Sequence, residues 1–357
     1  MSTAELAIEK GAVEVVRVPY RRAFGISSGT STHLESLVVR LHAGGETGIG
    51  ETVAMTAYTG QTVAGLLDVL DRVLLPAVAG ADARDLTELH RRMDAAIRGQ
   101  RVAKAAVDIA AHDLLGRASG LPVSVLLGAA PRPVPGAWVV GLGDPEEVVA
   151  DAAAAVARGY RHVKVKGGLL PARDAALVSL LRQRIGDDVE LCMDLNEGYS
   201  RAVAPRAIAA LRDAGLDLVE QPLPEWDLVG LAELRRHGGV PVMLDESVQS
   251  VPAAFTAITS GAADVLNIKV LKLGGLAPAR AVLDVARAAG VPVKIGTMPE
   301  LGVATLAAAH LACACPAGTV PGDFVGPLLV DGDPFAGAAF TDDGFVHVPD
   351  VPGLGSW

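Results

Sequence analysis

From residue 134 onward the sequence repeats a pattern without repeating its letters: a short apolar run, then an Ala/Arg/Leu-rich stretch of helical character, seven times over. The runs are 134–140, 162–166, 189–194, 216–220, 240–245, 265–269 and 291–295, with starts 24 to 28 residues apart. That spacing holds one strand, one helix and two short loops. A strand followed by a crossover helix pairs in parallel with the next strand. The pattern therefore predicts the α/β class, with a parallel sheet long enough to close as a TIM-type barrel. An eighth strand, near 319–321, is faint.

The first ~125 residues follow another rule, and strands come before helices rather than between them. Strands are expected at 13–18, 34–41 and 49–53, with a Gly44-Gly45 turn before the last. Helices are expected over 62–75, 85–98 and 102–118. Val107, Ala110, Ala111, Leu114 and Leu115 recur at helical spacing in the third, and Gly120-Leu121-Pro122 stops it. The expected organisation is an α+β domain over 1–125, a barrel over 126–324, and a Gly/Pro/Asp-rich tail over 325–357 that returns to the first domain. With 357 residues, half of them hydrophobic, the chain can fill both cores.

The ends of the barrel runs carry the chemistry. The second run ends Lys164-Val165-Lys166, the third in Asp194, the fourth in Glu220, the fifth in Asp245 and the sixth in Lys269. Strand C-termini build the mouth of such a barrel. Residues two apart on a strand face the same way, so Lys164 and Lys166 both point inward. Polar loops explain any one of these charges. They do not explain cations, three successive anions and a cation on five consecutive strands, because unpartnered charge in a barrel mouth is costly.

Three carboxylates without nearby His or Cys suit a hard cation: Mg²⁺, with Mn²⁺ as a substitute, rather than Zn²⁺. The Lys164 ammonium disfavours a second protonated lysine beside it, which moves Lys166 towards a usable base. A general base alone gives only about 10²- to 10⁴-fold. A metal on a substrate carboxylate would stabilise the charge left when its α-proton departs. The expected partner is a small carboxylate substrate.

Net charge and composition narrow the rest. A formal charge of -10 argues against sequence-independent nucleic-acid binding and against a polybasic membrane anchor. No apolar run approaches the ~18 residues of a membrane span. Met1 to Lys10 shows no signal-peptide pattern, and Cys192, Cys313 and Cys315 form no CxxC. These features lead to the expectation of a cytoplasmic protein with free thiols.

In this order, Lys164-Val165-Lys166, Asp194-Leu195-Asn196, Glu220-Gln221-Pro222, Asp245-Glu246-Ser247 and the 267–275 stretch Asn-Ile-Lys-Val-Leu-Lys-Leu-Gly-Gly resemble the enolase superfamily, muconate-lactonising subgroup. The resemblance runs over nearly the whole chain. It implies a (β/α)7β barrel under an N-terminal α+β capping domain, and a homo-oligomer. It implies Asp194, Glu220 and Asp245 as Mg²⁺ ligands and Lys166 and Lys269 as the acid/base pair, with Lys164 tuning them or holding the carboxylate. Asn196 and Glu246 would support these groups, while Glu300 and Asp323 would support them or approach substrate. Segments 20–32 and 54–62 resemble lid loops.

The subgroup contains cycloisomerases, racemases and epimerases of N-acylamino acids or dipeptides, o-succinylbenzoate synthases and dehydratases. Dipeptide epimerases carry Asp-x-Asp where this chain has Asp323-Phe324-Val325, and Asp323 to Leu329 is closer to the cycloisomerase pattern. A muconate-like cycloisomerase is the leading expectation and a two-lysine racemase or epimerase the second; a barrel that only binds carboxylates is the rival of another class. Lys294, in the seventh run, departs from the pattern; facing the helices or binding a second anion would explain it. His112-Asp113, His310 and the pair Cys313 and Cys315 read as structural.

Overall fold

The computed structural model describes residues 6–26, 29–316 and 319–356. Residues 1–5 of the stretch examined for a leader, and Ser27 and Ser28 of the first lid segment, lie outside them.

Strands β1 (Lys10–Ile26), β2 (Gly29–Ala43) and β3 (Glu46–Val53) form an antiparallel sheet in that order. The second turn is two residues long, with Gly44 and Gly45 both at positive φ, as a tight hairpin requires. β1 runs beyond the expected end at Val18. Pro19 lacks an N–H, and the register shifts between Pro19 and Phe24 before pairing resumes. The Arg101–Ser119 helix lies directly on this sheet. A Cβ on Gly50 would stand 1.9 Å from the Ala106 carbonyl oxygen, so only glycine permits the approach.

Seven parallel strands follow: β5 (Trp138–Val140), β6 (His162–Lys166), β7 (Glu190–Asp194), β8 (Leu218–Glu220), β9 (Val242–Leu244), β10 (Val265–Lys269) and β11 (Val293–Gly296), hydrogen-bonded in the order β11 to β5. The faint eighth strand closes the ring through two parallel bridges, Val320 to Lys294 and Gly322 to Gly136. The first apolar run divides. β4 (Pro133–Pro135) leaves the barrel and pairs antiparallel with β12 (Phe345–His347), since its two prolines lack the N–H groups an inner strand must donate. Helices cover the barrel, and their apolar faces share one core with the strands.

Val330 bridges Tyr20, β12 pairs β4, and Gly353 bridges Pro122. Buried carboxylates of the first domain hold starts of barrel helices. Asp108 accepts from the Leu276 N–H, and Glu51 from the N–H groups of Leu301 and Ala304.

Candidate active site

Each barrel strand delivers its last residues to one mouth. Lys166 and Asp194 are register partners, as are Asp194 and Glu220. One carboxylate oxygen each from Asp194, Glu220 and Asp245 lies within 4.8 Å of the others, and all three residues are fully buried. β6 and β10 stand four staves apart around eight, so Lys166 and Lys269 approach from opposite walls.

The lysines hold the acids together. Lys164 Nζ lies 3.1 Å from Asp194 Oδ2, 2.8 Å from Glu220 Oε2 and 3.0 Å from Asp323 Oδ2. Lys166 Nζ donates to Asp194 Oδ2 at 2.7 Å and to Asn196 Oδ1 at 3.0 Å. Lys269 Nζ donates to Asp245 Oδ2 at 2.6 Å. Burial works against the charge of Lys164 and of Lys269. The carboxylates around Lys164, and Asp245 beside Lys269, outweigh it and hold both lysines protonated above their ordinary range. Burial likewise opposes ionised Asp194, yet Lys164 and Lys166 bring its pKa down to about 2.

These oxygens fit a divalent cation. They are three hard anionic donors from three adjacent strands, all buried, and Glu220 Oε2 accepts no hydrogen bond although an ammonium lies against it.

Hydrogen bonds and ion pairs join further polar residues to these groups. Asn196 has φ 38° and Glu197 φ 64°, a left-handed turn after β7. It lets the Asn196 amide accept from Lys166 while donating to Glu246 Oε1 at 3.0 Å. Burial, then the charges of Asp245 and Asp194, push the Glu246 carboxyl up to about 8. Asp323 lies at the end of the eighth stave, between Lys164 and Lys294. Glu300 is buried next to Met298 and Pro299, which line the cavity, and accepts from the Met298 N–H at 3.2 Å. Burial and nearby Glu51 push its carboxyl well above the usual range.

Lys294 points into the barrel, not at the helices. It is fully buried, and its Nζ is 2.7 Å from Asp323 Oδ1. The anion it binds belongs to the protein itself.

Several residues had no assigned role in the sequence. The Tyr58 hydroxyl donates to Asp245 Oδ1 at 3.0 Å, and its ring lies 4.9 Å from Lys269 Nζ. The capping-domain loop 54–62 thus reaches into the barrel mouth, where Met55 and Tyr58 line the cavity with Val325 and Leu329. Lys272 Nζ donates to Asp245 Oδ1 and to the Asp245 and Asn267 carbonyls. Asn267 donates to Glu220 Oε1, and Gln221 accepts from the Asp245 N–H. Gln221, Asn267 and Lys272 sit within the motifs quoted above, and their proximity to a chemical end-residue was the available signal.

The structural readings hold for the remaining residues. His112 pairs with Asp108 rather than Asp113, and Asp113 accepts from the backbone N–H groups of Ile49 and Leu354. His310 accepts from the Ser124 N–H and meets the Leu354 carbonyl in the core. The three cysteines are buried and free. Among the described residues, no helix is long and apolar enough to cross a membrane.

Fold and site together define a capped (β/α)7β-barrel enzyme with an acidic triad set between lysines. The chain belongs to the mandelate racemase/muconate lactonizing enzyme family of the enolase superfamily: residues 10–128 match the N-terminal domain of that family and residues 147–356 match the enolase C-terminal domain-like family. It is 33% identical to a chloromuconate cycloisomerase from Cupriavidus necator, over 98% of this chain and 96% of the other. It is 32% identical to an N-succinyl-L-Arg/Lys racemase from Bacillus cereus, over 95% and 92%. A crystal structure of a dipeptide epimerase from Enterococcus faecalis, complexed with Mg and L-Leu-L-Tyr, superposes with a TM-score of 0.94 at 30% identity, over 98% and 99%. The relatives are isomerases, and this chain is an enzyme of the same superfamily.

Proposed function

We propose that the enzyme moves a proton on the carbon alpha to a carboxylate, and that its substrate is a muconate-like dicarboxylate undergoing cycloisomerisation. Asp194, Glu220 and Asp245 would hold Mg²⁺, or Mn²⁺ in its place. Bound there, the cation supplies electrostatic stabilisation of charge building on the substrate carboxylate. Lys166 gives or takes the α-proton from one wall. Lys269 stabilises charge from the opposite wall, and Lys164 fixes Asp194 and Glu220. Asn196 orients Lys166, and Tyr58 closes over the reacting group and excludes water. In this reading residues 1–125 form the cap, 126–324 the barrel and 325–357 the returning tail, in a homo-oligomer.

One observation carries the choice of substrate. Asp323 is already paired with two lysines, and the next inward position holds apolar Val325, so the end of the eighth stave offers no free carboxylate to an ammonium. Lysines 164, 166, 269, 272 and 294 at least balance the carboxylates of Asp194, Glu220, Asp245 and Asp323, since Glu246 keeps most of its proton near pH 7. A divalent cation added to that balance leaves the site positive, which favours a dianion over a zwitterion.

The second reading is a racemase or epimerase, favoured by the placement of Lys166 and Lys269 on opposite walls, as two-base proton transfer needs. A dehydratase ranks third. Proton NMR of the Mg²⁺-loaded enzyme in D₂O separates them, with cis,cis-muconate, N-succinyl amino acids and dipeptides supplied in turn. Lactone formation supports the cycloisomerase. Inversion with α-proton exchange and no lactone makes the lysines a two-base pair, and silence towards every carboxylate points to a binder.

A further inference from the structure

Beneath the cavity floor, Lys294 projects from β11 into the barrel interior and is fully buried without lining the cavity. Among the described residues its one ion-pair partner is Asp323, at 2.7 Å. Of its other neighbours, burial pushes the Cys192 thiol well up and the His162 imidazole down, so both stay neutral near pH 7, while Glu220 and Glu190 feel the Lys294 charge without forming an ion pair with it. Asp323 does line the cavity, and its second oxygen is 3.0 Å from Lys164. The carboxylate is held from below and from the side.

We infer that Lys294 is a positioning and specificity residue: it ties Asp323 to the protein's own lysines and so removes from the pocket the one carboxylate that would attract a cationic substrate group. The inference deepens the dicarboxylate reading and rests on its view of the pocket. A buried lysine beside a buried aspartate is retained only if each neutralises the other. With Lys294 gone, Asp323 faces Lys164 alone and keeps an oxygen free for an ammonium entering from the cavity. Rejection of the wrong substrate would thus come from a residue that never touches it.

The test is a binding comparison on Mg²⁺-loaded protein by calorimetry. The probes are adipate and 6-aminohexanoate, chains of similar length that end in a carboxylate and an ammonium. Wild type is expected to favour adipate by at least about tenfold. In Lys294→Met the preference should shrink by about tenfold or more, chiefly through tighter 6-aminohexanoate binding. The double variant Lys294→Met/Asp323→Asn removes the freed carboxylate and should return the preference to within about threefold of wild type. It also leaves no unpaired buried charge, so it keeps the proposal testable if the single variant fails to fold. If Lys294→Met folds with an unchanged preference, or the double variant binds 6-aminohexanoate as the single one does, the inference is overturned. If the single variant cannot be purified, a double variant whose preference departs from wild type by more than about threefold overturns it as well. A wild type that prefers 6-aminohexanoate sinks the dicarboxylate reading instead; the effect of Lys294 is then still read from the change between wild type and variant.

Discussion

Two regions of this molecule bury acidic side chains, and they use them for opposite ends. At the barrel mouth, Asp194, Glu220 and Asp245 face ammonium groups from two strands, Lys164 and Lys166 from β6 and Lys269 from β10. At the seam between cap and barrel, Glu51, Asp108 and Asp113 each accept from backbone N–H groups, with Ser36, the His90 and His112 rings, and Arg117 beside them respectively. Backbone donors are fixed and make a joint. Lysine donors are long and mobile, and they can give way to a substrate or an ion. A buried acid is thus read by its partner: N–H groups of a helix start mark structure, and converging lysines mark chemistry.

The sharpest separation between the two regions comes from Lys166→Ala. Turnover should fall by about 10⁴-fold, roughly 5 kcal/mol of barrier, while the thermal midpoint moves little. α-Proton exchange followed by NMR, alongside a melting curve, checks both halves. A midpoint that collapses with activity would erase the distinction between mouth and seam. The reverse variant is Asp108→Ala, which strands the Leu276 N–H and the His90 and His112 rings around a buried void. It should cost about 4 kcal/mol of stability in denaturant unfolding while the folded fraction keeps its turnover.

The seam also has a pH signature. Burial pushes the Glu51 carboxyl up to about 7 from an ordinary 4.5, against the pull of the Ala304 N–H, the Ser36 hydroxyl and the Leu301 N–H. The native state therefore holds this proton over a range where the unfolded chain has released it. That stabilisation is complete below about pH 4.5 and is lost as pH rises through 7, a change of about 3 kcal/mol. Glu51→Gln should flatten this slope in unfolding measured from pH 4 to 8; an unaltered slope would assign it to other groups. The smallest effect belongs to the contact that joins both regions. Tyr58→Phe removes one hydrogen bond to Asp245, worth about 1 kcal/mol, and should raise KM several-fold with kcat nearly unchanged.

The mouth was the more legible region in sequence. Strand period and strand end together place a side chain at the C-terminal rim, so Lys166, Asp194, Glu220, Asp245 and Lys269 could be read before any fold was known. Tyr58 could not, because its partner is 187 residues away and no local pattern links loop 54–62 to Asp245. The seam was illegible for the same reason. Asp108 reads as a polar interruption of a helix until Gly275 is brought against it and the Leu276 N–H, 168 residues on, reaches its carboxylate. The split of run 134–140 was foreshadowed by Pro133 and Pro135, which an apolar count does not penalise.

The eighth stave has a consequence for how such a molecule can diversify. Seven staves carry regular ladders, whereas Val320 and Gly322 close the circle with single bridges, and Asp323 and Val325 follow at once. Few cross-strand bonds depend on side chains there, so mutation can sample new letters at the rim without dismantling the scaffold. A lineage could retune what it accepts by drifting along these few positions, leaving the triad and its lysines as inherited hardware.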